Sequence, residues 1–189
     1  YLDLLGALDL KDVVLVGSSF GGWIAAEIAV KSTARLSQLV LANPLGIKIG
    51  DRETRDFVDI YAIFDKEIAE LAYADASLGI PDIPSLSDET LFHMARSREA
   101  TARYGWSPFL HNPKLKSRLH RIDIPTLVLY GEADRITRKG FCSAYADCIP
   151  GTKFMPMKGA GHFPHKETPD AFADAVAAFV AGKERELIS

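Results

Sequence analysis

Three side chains of complementary chemistry occur in the order hydroxyl, carboxylate, imidazole: Ser19, Asp134 and His162. A serine hydroxyl is a weak nucleophile near neutral pH and needs a neighbouring base to take its proton. Histidine is the usual base, oriented by a carboxylate, and such a trio performs acyl transfer. Ser19 is the centre of Gly17-Ser18-Ser19-Phe20-Gly21. Of the five histidines, His162 lies in the glycine-rich stretch Gly159-Ala160-Gly161-His162-Phe163-Pro164. Its loop position favours it over His165, which is expected to start the final helical region or meet solvent. His93, His111 and His120 lie in or just after a helical block. Two acids, Glu132 and Asp134, follow Tyr130-Gly131. Asp134 is deeper in the loop, where backbone amides can hold a short carboxylate, so it is the expected orienter, and Glu132 is left to anchor the loop.

These residues need elements that aim them at one point. Val13-Val14-Leu15-Val16 precedes the serine as a short apolar run, and Gly22-Trp23-Ile24-Ala25-Ala26-Glu27-Ile28-Ala29 follows it at helical spacing. Strand, Gly-x-Ser-x-Gly, helix is the context of a nucleophile elbow. Further strands are expected at residues 39–42, 126–130 and 153–157. The first three are continuous apolar runs, as suits parallel strands covered on both faces. Helices are expected at residues 20–31, 139–147 and 169–181. Thr168 would cap the last, with Phe172, Val176, Phe179 and Val180 as its buried stripe. Strands alternating with helices predict an α/β fold with a parallel sheet.

Residues 50–113 break that rhythm. They read as helices around residues 54–73 and 88–103, joined by the loop Gly79-Ile80-Pro81-Asp82-Ile83-Pro84. A helical insertion between core strands would form a lid, dividing the chain into core residues 1–49, lid residues 50–113 and core residues 114–189. Most aromatics of the insertion are expected to bury it against the core. Phe92 and Trp106, with Phe163 beside the histidine, are the candidate pocket residues.

The 189 residues fit one domain, and 48% apolar residues can supply its core. A net charge of −3 and an isoelectric point near 6.0 leave no electrostatic footprint for nucleic acid. No stretch has the length of a membrane span. Cys142 and Cys148 have neither disulfide nor metal-ligand placement, which suits structural thiols in a reducing compartment. The cytoplasm is the expected location. The chain opens at Tyr1 within an apolar helical pattern, so any signal peptide would lie upstream.

The motifs Gly17-Ser18-Ser19-Phe20-Gly21-Gly22, Leu127-Val128-Leu129-Tyr130-Gly131-Glu132-Ala133-Asp134 and Gly159-Ala160-Gly161-His162 together resemble the α/β-hydrolase superfamily. Glu167, Pro169 and Phe172 resemble the way that family ends. The resemblance covers essentially the whole chain. It implies Ser19 as nucleophile, His162 as general base and acid, Asp134 as orienter and the helical block as a cap. It implies no metal or organic cofactor and a small-molecule substrate. The serine argues against the dehalogenase and epoxide hydrolase branches, which carry aspartate there. Esterases, lactonases, hydrolases of C–C bonds in meta-cleavage products and cofactor-free haloperoxidases remain, with a non-turnover receptor as the rival from another class. The four strands resemble the fifth to eighth of that family's sheet. The first half, with the second oxyanion donor, would then be missing, leaving the Phe20 N–H as the oxyanion donor. The chain is therefore expected to be a fragment, or to be completed by a missing N-terminal segment or a second copy.

Overall fold

The computed structural model describes residues 1–182, so residues 183–189 of the third segment lie outside the described residues. The elements run α1 (Leu2–Ala7), β1 (Val13–Ser18), α2 (Phe20–Ala29), β2 (Leu36–Ala42), α3 (Asp65–Ala72), α4 (Asp88–Gly105), β3 (Thr126–Gly131), α5 (Phe141–Ala146), β4 (Lys153–Met157), α6 (Pro164–Glu167) and α7 (Pro169–Val180). The strands form one sheet in the order β1-β2-β3-β4, every pair parallel. Ser18 is level with Ala42, and Ala42 with Leu129, so the loops after β1, β2 and β3 leave the sheet side by side. The carboxyl ends of parallel strands are where such folds build sites.

Apolar side chains leave both faces of the sheet. One cluster joins Leu39, Leu41 and Val128 to Ala25, Phe141 and Tyr145 of α2 and α5. The other joins Val40, Leu127 and Leu129 to Ala175 and Phe179 of α7. The central strands β2 and β3 are covered on both sides. β1 is an outer strand, with Val16 45% exposed.

The insertion departs from expectation at its start. Residues 54–64 form no α-helix, and the first helix of the insertion is only Asp65–Ala72. Backbone donors that a helix over these residues would use are engaged elsewhere: the Val58 N–H donates to the Ile136 carbonyl and the Tyr61 N–H to the Asp59 carboxylate. Just before them, Asp51 accepts from the N–H groups of Glu53 and Thr54, and buried Asp56 from those of Ile49 and Gly50. A short acidic side chain such as Asp59 competes with helix formation in this way. α3 starts where Glu67 reaches back to the Phe64 N–H at 2.9 Å. α4 starts under a real cap, Ser87 Oγ accepting from the Thr90 N–H at 3.2 Å.

Two details of α7 differ from the sequence reading. The Thr168 hydroxyl turns back to the Pro164 carbonyl and makes no side-chain cap. Val180 is 44% exposed and leaves the buried stripe. Ala175 and Phe179, four apart, take the core-facing line, and the next residue is rotated away from it. β2 begins three residues before expectation, at Leu36, which is itself buried.

Candidate active site

The turn after β1 is as tight as backbone allows. A Cβ on Gly17 would overlap the Gly21 carbonyl, so strand and helix meet there without a side chain between them. Ser19 holds φ 54° and ψ −119°, a conformation rare for a residue with a Cβ. Three hydrogen bonds hold it: the Ser19 N–H donates to the Ala42 carbonyl at 2.9 Å, and the Ser19 carbonyl accepts from the N–H groups of Leu45 at 3.1 Å and Trp23 at 3.2 Å. Phe20 is the first residue of α2, so its N–H has no intrahelical acceptor and points out of the helix start.

His162 Nε2 lies 2.7 Å from Ser19 Oγ, and His162 Nδ1 lies 3.0 Å from Asp134 Oδ2. The imidazole and carboxylate side chains are 2% and 4% exposed. A carboxylate only accepts, so Nδ1 carries the proton, and Nε2 is then free to accept from the hydroxyl. Asp134 is itself fixed: Oδ1 accepts from the N–H groups of Ile136 and Thr137, and Oδ2 from the Thr137 hydroxyl. A hydroxyl, an imidazole and a carboxylate in series can move a proton off the hydroxyl as it attacks.

The competitors stand elsewhere. Glu132 is exposed, and only its backbone N–H bonds inward, to Met157. His165 lies on α6 between the rings of Phe163 and Phe172, its Nδ1 buried and without a hydrogen-bond partner among the described residues. Burial, and then Lys166 and His162, lower its pKa. The Cys142 thiol is buried close by, and burial first, then the Asp134 carboxylate, push its pKa up. It is therefore no nucleophile at neutral pH.

Of the candidate pocket residues, Phe163 packs its ring edge-on to His162, with centroids 4.9 Å apart, and also meets Tyr73. Phe92 on α4 is 58% exposed, with Arg96 over its ring. Trp106, just past α4, is 60% exposed and lines a cavity of about 370 Å³ with Lys48, Thr54, Phe57 and His111.

The inserted helical segment grips the acid and histidine loops, which sequence reasoning missed. The C-terminal carbonyls of α3, which a helix leaves unpaired, are taken by those loops. The His162 N–H donates to Ala72 at 2.6 Å, the Arg135 N–H to Leu71 at 3.0 Å, and the Arg135 guanidinium to Glu70. Glu167 completes the tie by accepting from the N–H groups of Gly161 and Ala74. The signal in the sequence was Glu167 itself, an acid five residues after the histidine.

Comparison with known proteins agrees with this architecture. A family model described as "Alpha/beta hydrolase family" matches residues 1–175. The 2-hydroxymuconate semialdehyde hydrolase of Pseudomonas sp. strain CF600 is 28% identical over 206 residues, covering 98% of this chain and 68% of that protein. A Bacillus subtilis strain 168 protein named "Putative 2-succinyl-6-hydroxy-2,4-cyclohexadiene-1-carboxylate synthase" is 27% identical over 193 residues, covering 94% of this chain and 69% of its own. The solved meta-cleavage product hydrolase from Pseudomonas fluorescens IP01 superposes with a TM-score of 0.72 at 18% identity, covering 96% of this chain and 69% of that one. The chain spans about two thirds of the length of these relatives. With its elbow, parallel sheet and motif order, it belongs to the α/β-hydrolase family and is a hydrolase of that superfamily.

Proposed function

We propose that this hydrolase acts by acyl transfer through Ser19, His162 and Asp134. Its substrate is a small, moderately apolar carboxylic ester, or a diketone-like acid cleaved at a C–C bond beside a carbonyl. The observation that carries this reading is the continuous contact from Ser19 Oγ through the His162 imidazole to Asp134 Oδ2, at 2.7 and 3.0 Å.

In this mechanism His162 Nε2 takes the Ser19 proton as Oγ attacks the carbonyl carbon. Asp134 holds the Nδ1–H and stabilises the imidazolium that forms. The carbonyl oxygen becomes an oxyanion against the Phe20 N–H at the start of α2, where the helix dipole favours negative charge. His162 returns the proton to the departing alkoxide, or to the departing carbon in the C–C case, leaving an acyl group on Ser19. Water then attacks the acyl carbon, its proton passing through His162, and the acid is released. The edge-on Phe163 ring keeps one side of the imidazole apolar. Similarity to a protein named 2-hydroxymuconate semialdehyde hydrolase supports keeping the C–C bond alternative beside the ester.

The test is labelling with a fluorophosphonate, located by intact mass and peptide mapping. A single adduct on Ser19, absent in Ser19→Ala and His162→Ala, is the expected result, followed by turnover of short-chain esters or a diketone acid. Folded wild-type protein that takes no adduct overturns the proposal. Stoichiometric reaction without turnover of any ester or diketone acid favours a receptor.

A further inference from the structure

We propose that Asn43 is a positioning residue for the Ser19, Asp134 and His162 assembly, acting by locking the acid loop to the histidine loop. The proposal rests on the acyl-transfer reading above for its consequence, though not for its geometry. Asn43 follows β2 directly and is fully buried. All four hydrogen-bonding sites of its carboxamide are used. Nδ2 donates to the Gly161 carbonyl at 2.9 Å and to the His162 carbonyl at 3.0 Å. Oδ1 accepts from the Gly131 N–H at 3.1 Å and faces the Cys142 thiol at 3.7 Å. Gly131 ends β3 and opens the loop that carries Asp134, while Gly161 and His162 are the histidine loop itself.

The same short stretch also holds the serine. The carbonyl of Ala42 accepts from the Ser19 N–H, and the Asn43 N–H donates to Leu129, tying the strand ends together. Three loops that bring three side chains to one point thus meet at Ala42 and Asn43.

Asparagine suits this place for two separate reasons. Its φ is 40°, in the left-handed region that asparagine and aspartate tolerate better than other residues with a side chain. Two carbonyls on one side and an N–H with a thiol on the other require a group that donates twice and accepts twice at its tip. A primary amide does this; a carboxylate of the same shape would set oxygen against two carbonyl oxygens. Asn43→Asp therefore keeps the volume and the backbone preference while reversing half of the bonds. Asn43→Gly keeps the backbone freedom and removes all four.

The experiment compares wild type, Asn43→Asp and Asn43→Gly, each shown to be folded by near-ultraviolet circular dichroism. One readout is the concentration dependence of fluorophosphonate labelling at Ser19. The expected result is a maximal rate lowered by about 100-fold, the cost of a misplacement on the order of 1 Å, with the half-saturating concentration unchanged. The second readout is the low-field proton resonance of the His162 Nδ1–H bonded to Asp134, identified by its loss in Asp134→Asn. It is expected to weaken or vanish in the Asn43 variants. Should Asn43→Asp not fold, Asn43→Gly carries the same comparison. A folded variant that labels within about twofold of wild type and keeps the resonance overturns the proposal. A wild type that does not label but shows a resonance sensitive to Asn43 overturns only the acyl-transfer reading.

Discussion

Glu167 and Gly161 form a hydrogen bond of 2.8 Å, carboxylate to backbone N–H, one residue before His162. The other oxygen of the same carboxylate holds the Ala74 N–H at 2.7 Å, beyond the end of α3. One side chain therefore joins the histidine loop to the inserted segment. Hydrogen bonds to a charged partner each contribute about 1.5–3 kcal/mol. Glu167→Gln keeps one acceptor and is expected to lose about 1–3 kcal/mol in urea denaturation and to slow labelling of Ser19. Unchanged stability and rate would show that the tie carries no load.

Asp134→Asn should leave the loop standing, because Oδ1 can still accept from the N–H groups of Ile136 and Thr137. The amide no longer favours the tautomer with the proton on Nδ1. The rate of acylation is expected to fall by about 10⁴-fold, as for the same change in other triads. Labelling kinetics on the folded variant measure this directly. A loss under about tenfold would deny Asp134 its assigned role.

Gly17→Ala tests the elbow. Its methyl group would overlap the Gly21 carbonyl, a backbone atom that cannot rotate aside. Overpacking of this kind costs about 1–3 kcal/mol and sometimes more. A lower melting temperature is expected, together with a larger fractional loss of labelling, since the clash displaces the residue two positions from it.

His165 predicts a pH dependence of stability. Its pKa is lowered from the ordinary 6.5 by burial first, and then by Lys166 and His162. The unfolded chain then binds more protons than the folded one as pH falls below about 6.5. Stability contributed by the neutral imidazole is present above that value and declines below it. His165→Phe removes the titration, so the gap in unfolding free energy between variant and wild type should change below pH 6.5 in favour of the variant. A gap constant from pH 5 to 8 would sink this account.

The elbow and the order of its partners were legible because they are local. Glycines flanking Ser19 and an apolar strand before it state a conformation within ten residues. Asp134 could be preferred to Glu132 from loop depth, and the two now stand respectively against His162 and in solvent. What escaped was long-range. The bonds from His162 to Ala72 and from Glu167 to Ala74 join residues about 90 apart and leave no periodicity to read. Asn43 likewise follows a strand run with nothing in its neighbours to announce four buried bonds. The missing helix over residues 54–64 has a mixed cause: Val58 is tied to distant Ile136 and Asp59 takes the Tyr61 N–H, neither of which an apolar-spacing criterion weighs.

Ser19 is mounted at the end of β1 and His162 beyond β4, the two outer strands of the sheet, while Asp134 follows the covered β3. The nucleophile and its base therefore rest on opposite edges, and the carboxylate on the firmer middle. Backbone amides of β2 and β3 should exchange with deuterium late, and those of β1 and β4 early. Fraying of β1 withdraws the hydroxyl while leaving the carboxylate in register. Reactivity should then fade on warming before the sheet melts, and any strand that zips along β1 would sharpen the chemistry without touching a reacting atom.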